Sequence, residues 1–302
     1  MSDFSHTLKG NERPIGVFDS GVGGLTVVKQ LMALLPQERL IYFGDTARIP
    51  YGTKSEETVI RFALEDSVFL VEKGVKMIVV ACHTASAIAL THVQRALDVP
   101  VVGVIEPGAL TAVARTENGK IGVIGTASTI RSNAYTRALR SYDSWVKVFA
   151  RACPLFVPLV EEGWIEDEAT YLIARRYLQP LIDNGIDTLI LGCTHYPLLK
   201  AVIREVMGEG VDLIDSGVET ARYVKNMLQQ RGLLAPQGQD PEHYFYVSDL
   251  PYKFQEIGER FLERSLPHVE TVNFEAFVSR KGSGFWETLE RKAVGRHSMT
   301  DP

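Results

Sequence analysis

Two cysteines occupy matching places in two halves of the chain. Cys82 ends the apolar run Met77-Ile78-Val79-Val80-Ala81, and Cys193 ends the run Thr188-Leu189-Ile190-Leu191-Gly192. Polar residues follow each at once: His83-Thr84-Ala85-Ser86 after the first and Thr194-His195-Tyr196-Pro197 after the second. A free cysteine is mostly thiol at neutral pH, but a place ahead of a helix N-terminus favours the thiolate. A thiolate on one side of a carbon can remove a proton while a thiol on the other side returns one. Two copies of one local design therefore suggest two facing acid/base groups. An isolated cysteine would read as a buried small residue; matched polar surroundings on both argue against that. The third cysteine, in Ala152-Cys153-Pro154-Leu155, has no polar cluster beside it and reads as structural.

Other residues of suitable chemistry fall in similar places. Asp19-Ser20, Asp45, Thr126 and Asp215 each follow an apolar strand-like run. Open parallel sheets bind ligands beyond the carboxyl ends of their strands, so these residues should converge with the thiols. In Asp19-Ser20-Gly21-Val22-Gly23-Gly24, successive glycines would let backbone N–H groups approach an anion. The spacing is neither the dinucleotide fingerprint nor a P-loop. Asp19 could bind a substrate ammonium or a thiol, or cap the following helix. Glu161 and His195 could assist proton transfer, although Glu161-Glu162 also fits a solvated acidic pair. Cys82, His83, Cys193 and His195 carry zinc-type donors, but the close Cys-x-x-Cys spacing is missing, so no metal is expected.

The elements that would position these residues alternate. Ile15–Phe18, Leu40–Phe43, Met77–Ala81, Val99–Val104, Lys120–Gly125, Thr188–Leu191, Val211–Ile214 and Tyr244–Val247 read as strands, nearly all apolar. Such strands suit a parallel sheet covered on both faces. Helical stretches include Leu25–Leu35, a helix to Lys73 capped by Ser55, Ile130–Leu139, Glu168–Ile182 and Glu219–Gln229. Ile15-Gly16-Val17-Phe18-Asp19-Ser20-Gly21 resembles Ile121-Gly122-Val123-Ile124-Gly125-Thr126-Ala127, and each cysteine lies at a similar offset from the start of its copy. This predicts two pseudo-symmetric three-layer α/β domains, with mainly parallel sheets facing an interdomain cleft. The first domain would be discontinuous, 14–118 and 219–268, and the second 119–218. Residues 1–13 and 291–302 read as flexible termini.

Composition sets the class. With 302 residues, a formal charge of −5 and 45% hydrophobic content, this is an ordinary globular chain with room for two domains. No dense Lys/Arg run suggests a nucleic-acid groove. No signal-peptide core and no stretch of eighteen apolar residues appears, so neither export nor membrane insertion is expected. Three sparse cysteines suit reduced thiols in a cytoplasm. A noncatalytic binder of small acids would also use two domains and a cleft, but does not need paired thiols. A thiol hydrolase would need one dominant nucleophile rather than two.

These residues carry a resemblance to bacterial glutamate racemases, of the cofactor-independent aspartate/glutamate racemase family. It spans about 14–246 and is strongest in four segments. They are Gly16-Val17-Phe18-Asp19-Ser20-Gly21-Val22-Gly23-Gly24-Leu25, Asp45-Thr46-Ala47-Arg48-Ile49-Pro50-Tyr51-Gly52, Val80-Ala81-Cys82-His83-Thr84-Ala85-Ser86 and Leu191-Gly192-Cys193-Thr194-His195-Tyr196-Pro197. The resemblance implies cofactor-independent interconversion of L-glutamate and D-glutamate, supplying peptidoglycan synthesis in a bacterial cytoplasm. It implies Cys82 as the base acting on the D-isomer and Cys193 on the L-isomer. Asp19 and His195 would support the thiols, with Glu161 near the Cys193 side. Ser20, Tyr51, Gly52, Thr84, Thr126 and Thr194 would hold substrate, and Asp45 would belong to the surrounding polar shell. Where the family usually has asparagine after the first cysteine, this chain has His83, which bears on substrate pose and pH response rather than on reaction type. Aspartate racemases share the two-cysteine logic. A homodimer and a peptidoglycan-precursor activator are partners the family leaves open.

Overall fold

The computed structural model describes residues 10–238, 240–266 and 269–295. Among the described residues ten strands follow one another along the chain: β1 Ile15–Asp19, β2 Leu40–Gly44, β3 Met77–Val80, β4 Val101–Gly103, β5 Lys120–Gly125, β6 Lys147–Ala152, β7 Thr188–Gly192, β8 Asp212–Asp215, β9 Tyr244–Val247 and β10 Val269–Thr271. They form a six-stranded sheet, β10-β9-β2-β1-β3-β4, and a four-stranded sheet, β6-β5-β7-β8. Every pairing in both is parallel. The stretch β2-β1-β3-β4 has the same order as β6-β5-β7-β8, so the internal repeat seen in sequence is a repeat of topology. Register extends the match. Ile15 pairs with Met77 and Ile121 with Thr188. Each cysteine then stands five residues beyond its copy of that partner.

Side chains alternate across the strands, and the core follows that period of two. Ile15, Val17, Met77 and Val79 belong to one apolar cluster, whereas Phe18, Ile78 and Val80 belong to another on the opposite face. In the second sheet Ile121, Val123 and Ile190 turn to a third cluster, while Ile124, Leu189 and Leu191 join the first. One face of each sheet thus feeds a single core. There the helix Leu25–Leu34 packs against Ser216–Gln230.

β6 was not foreseen: it is an edge strand whose residues are half-buried or exposed, so it lacks the apolar run of its neighbours. The single helix expected over Ile130–Leu139 is two helices, Ala127–Arg131 and Ala134–Tyr142, broken where Asn133 takes a left-handed φ of 55°. The first lobe extends past residue 268, because β10 joins its sheet. Beyond it the helix Phe274–Lys281 buries Phe274 and Phe277 against Phe69. The helix Ser283–Val294 runs through 291, where a loose tail was expected, and buries Leu289 and Ala293. At the other end Arg13 donates to Gly74 O at 2.8 Å, and Lys76 donates to Asn11 O at 2.7 Å, so 11–13 are tied down. The rest of the two termini, 1–9 and 296–302, lies outside the described residues. Among the described residues no helix is long and apolar enough to cross a membrane.

Candidate active site

The carboxyl ends of β1 and β3 from one sheet and of β5 and β7 from the other surround a cavity of about 370 Å³. Cys82 and Cys193 both line it, one from each lobe, with Ser20, Tyr51, Gly52, His83, Thr84, Thr126, Glu161, Thr194 and His195. Ile49, Pro50, Pro154, Val157 and Pro158 supply an apolar wall. Asp19 and Asp45 are buried just behind this lining. All three cysteines are free, and Cys153 is buried in the core.

The two thiols have different neighbours. Cys82 caps the short helix His83–Ile88 and donates to Ser20 Oγ at 3.7 Å. Asp19 lies beside it, with Oδ2 accepting from Gly21 N at 3.0 Å. Asp19 Oδ1 is buried with no hydrogen-bond partner among the described residues. Burial, and then the Asp19 charge, push the Cys82 thiol up to about 12 against the pull of Ala85 N–H and Ser20. The helix N-terminus does pull toward the thiolate through the Ala85 N–H, but desolvation outweighs it. Burial also raises Asp19, while His195 and the Gly21 and Gly24 amides oppose that rise.

Cys193 sits at a bend that leads through a turn into the 3₁₀ helix Tyr196–Leu199 rather than into an α-helix. Its Sγ is 3.9 Å from His195 Nδ1, and His195 Nε2 is 3.0 Å from Glu161 Oε1. Burial alone would lower the imidazole, but hydrogen bonds and charge from Cys193 and Glu161 overcome it and hold His195 at about 10. Burial likewise opposes ionisation of Glu161, yet His195 and Lys253 keep it below the ordinary carboxylate range. The first lobe supports this relay: the Phe261 ring stands edge-on to His195 at 5.3 Å, and Arg260 donates to Glu161 O at 3.2 Å.

The glycine-rich turn after β1 makes this closeness feasible. A Cβ on Gly23 would sit 2.2 Å from Thr194 Oγ1 and 2.6 Å from His195 Nδ1. Gly23 is therefore where the two lobes' loops touch, an assignment different from the anion cradle that the glycines suggested. Thr26 reinforces the contact by donating to Thr194 O at 2.9 Å.

Across the cavity, Thr84 from the first lobe meets Thr126 at 3.0 Å and Thr129 at 3.4 Å. Thr129 escaped the sequence reading; its only signal is its place three residues after the capping Thr126. His83 is buried and stacks on Tyr135 at 6.2 Å, and neither ring nitrogen has a partner among the described residues. Burial pushes it down to about 3, so it is neutral. Tyr51 lines the cavity, but its hydroxyl turns away to Asp45 and Asp66, so that hydroxyl is not free for a ligand. Among the described residues no group of three or more His, Cys, Asp or Glu is arranged to hold a metal ion.

Comparison with known proteins agrees with this geometry. The Asp/Glu/Hydantoin racemase family model matches residues 24–224. A glutamate racemase of Geobacter metallireducens is 56% identical over 87% of this chain and 98% of its own length. The crystal structure of a Bacillus anthracis glutamate racemase superposes with a TM-score of 0.84 at 44% identity, over 87% of this chain and 98% of that one. A Francisella tularensis glutamate racemase, solved in complex with D-glutamate, gives 0.83 at 43% identity, over 88% of this chain and 99% of that one. The chain belongs to the Asp/Glu/Hydantoin racemase family, on its glutamate racemase branch.

Proposed function

We propose that this protein interconverts L-glutamate and D-glutamate by two-thiol proton transfer, supplying D-glutamate for peptidoglycan in the bacterial cytoplasm. The observation that carries the reading is one cavity lined by two cysteines, one from each lobe. Its volume of about 370 Å³ suits a small amino acid.

In the L-to-D direction Cys193 takes the α-proton: the C–H bond breaks and an S–H bond forms. Cys82 gives its proton to the opposite face, leaving a thiolate. The residues beside each thiol suit those tasks. His195, held charged by Glu161, balances the Cys193 thiolate, while buried Cys82 keeps its proton until the carbanion draws it. One turnover leaves the two protonation states exchanged. The enzyme must then either run D-to-L or reset both protons before taking another L-glutamate. The cavity's own groups supply donor and acceptor, so the reaction calls for no cofactor. Ser20, Gly52, His83, Thr84, Thr126 and Thr194 hold the substrate, with Tyr51 contributing its ring and backbone. Asp19, through its free Oδ1, receives the ammonium. Preorganised hydrogen bonds of this kind stabilise charge that develops in the transition state.

The test is incubation with L-glutamate in deuterated water without added cofactor. D-glutamate carrying deuterium at the α-carbon is the expected product. Absence of both inversion and α-exchange in folded, reduced protein would overturn the reading; turnover of aspartate in preference to glutamate would reassign the substrate. Two partner proposals accompany it. Sedimentation velocity would distinguish a homodimer from a 33.5 kDa monomer, and a peptidoglycan precursor that activates would raise turnover when added.

A further inference from the structure

The segment from Asp45 to Thr53 carries one wall of the cavity. Ile49, Pro50, Tyr51, Gly52 and Thr53 line it, but Asp45 and Arg48 do not. Behind that rim Arg48 serves three carboxylates. Its Nε donates to Asp45 at 2.6 Å, its Nη2 to Asp66 at 2.8 Å, and its Nη1 to Glu65. The guanidinium also lies 3.9 Å over the Phe62 ring. Asp45 and Asp66 are fully buried. The Tyr51 hydroxyl contacts both, at 2.9 Å in the case of Asp66, so the rim is bolted to the ion cluster. The far end of the rim is fixed to the other lobe, where Ser128 donates to Gly52 O at 2.6 Å.

A buried cluster of this sort is a poor source of net stability, because desolvation of the charges offsets their attraction. What it can supply is a single geometry, since three oxygens and a planar fork of N–H groups fit in one way. The geometry points to Arg48 as a positioning residue for substrate binding: by holding Asp45, Glu65 and Asp66 outside the cavity, it sets the placement of the Ile49–Thr53 rim over the two thiols. This rests on reading the cavity as the glutamate site. Arg48 touches no substrate; it acts through Tyr51 and the rim backbone.

Steady-state kinetics on Arg48→Lys and Tyr51→Phe, with both glutamate enantiomers, test the inference. Lysine keeps the charge but cannot serve three carboxylates in a fork. Each variant should raise KM for both enantiomers about tenfold, the size of one lost hydrogen bond to a charged group, with kcat within about twofold. The double variant should be little worse than either single one, because both act through one cluster. A variant that only misfolds in part would lower apparent kcat and leave KM unchanged. That pattern, or KM within about twofold of the parent, or losses that multiply in the double variant, would overturn the inference. Should Arg48→Lys be insoluble, the KM of Tyr51→Phe decides alone. A parent protein that fails to racemise glutamate removes the proposed function; a parent that racemises while the variants keep its KM removes only the role of Arg48.

Discussion

Cys82 and Cys193 stand at equivalent points of a repeated β-topology, yet their companions are not equivalent. The register that matches Ile15 with Ile121 also matches Asp19 with Gly125 and Thr84 with His195. At the matched positions the carboxylate near the first thiol is replaced by a glycine in the second copy, and the imidazole near the second thiol by a threonine in the first, where the one imidazole, His83, sits a residue earlier and is held neutral by burial. Burial, and then the Asp19 charge, push the Cys82 thiol up. A positive group at 3.9 Å can balance a thiolate at Cys193. The duplicated scaffold brings the two thiols to one cavity, and the unmatched neighbours give them different electrostatic surroundings. Because enantiomers have equal free energies in water, kcat/KM must be the same in both directions for the protein and every variant of it. The asymmetry can therefore appear only in how kcat and KM divide, and in how each of them separately depends on pH.

The widest break in the comparison comes from removing either thiol. Cys82→Ala and Cys193→Ala should each lower racemisation by about 10²–10⁴-fold or more, the usual worth of a positioned acid or base. Circular dichroism should report an unchanged fold, and near-parental turnover by either variant would end the two-thiol reading. Next in size is Gly23→Ala. The added Cβ would lie 2.2 Å from Thr194 Oγ1 and must push the Cys193 loop away from the first lobe. A displacement of that kind should cost on the order of 10² in kcat/KM. Gly21→Ala is the contrast, since its Cβ would meet only Ile49 Cγ2 at 3.3 Å. Equal losses from the two substitutions would mean that the turn is not the place where the lobes touch.

Much of this arrangement was legible in the chain, for identifiable reasons. Apolar strands ending in chemistry-bearing residues are visible because both faces of each sheet are buried. The relation of Cys82 to Cys193 is visible because the strands before them repeat. Other features depended on tertiary context. β6 is an exposed edge and carries Lys147 and Arg151, so it shows no buried-strand pattern. The tight approach at Gly23 involves residues some 170 positions apart in sequence, as does the Thr26–Thr194 contact (a separation of 168). The Arg48 cluster does have a local signal: Glu65-Asp66 interrupts the apolar side of the helix Glu56–Glu72 and is buried there. Two adjacent acids buried in such a helix call for donors, and Arg48 and Tyr51 supply them. The local dipole at Cys82 is readable from sequence, whereas the depth of burial that raises its thiol is not.

A gentler perturbation addresses the Cys193 side alone. Glu161→Gln keeps a hydrogen-bond acceptor for His195 but removes the negative charge. His195 should then titrate clearly below its value of about 10, which an NMR pH titration of the imidazole would register. The sign follows from linkage: a histidine held above its ordinary value contributes stability that is fully present below about pH 6.5 and lost as pH rises through about 10. The variant should surrender that contribution at lower pH. Its kcat/KM should fall about tenfold, equally in both directions, with unequal changes in the two kcat values. An unmoved His195 titration would detach Glu161 from the Cys193 thiol and make the two sites more alike than their contacts suggest.

The smallest effect is expected at His83, which takes the place that Thr194 holds in the other lobe. Thr194 Oγ1 lies 3.4 Å from His195 Nδ1, whereas neither nitrogen of His83 has a partner among the described residues. Burial holds His83 down at about 3, so it is neutral throughout the working range and contributes no ionisation there. Its effect should emerge in acid. Above about pH 6.5 both folded and unfolded chains carry it neutral; as pH falls toward 3, the unfolded chain takes up a proton that the folded one refuses. Stability present above pH 6.5 is thus lost on acidification, by about 2 kcal/mol at pH 5. Urea unfolding at pH 7 and pH 5 should show a smaller drop for His83→Gln than for the parent, while the pH profile of kcat/KM between 6 and 8 keeps its shape. Parallel losses of stability, or a profile that changes shape, would show His83 exchanging protons inside the site and would give the first lobe a titrating partner of its own.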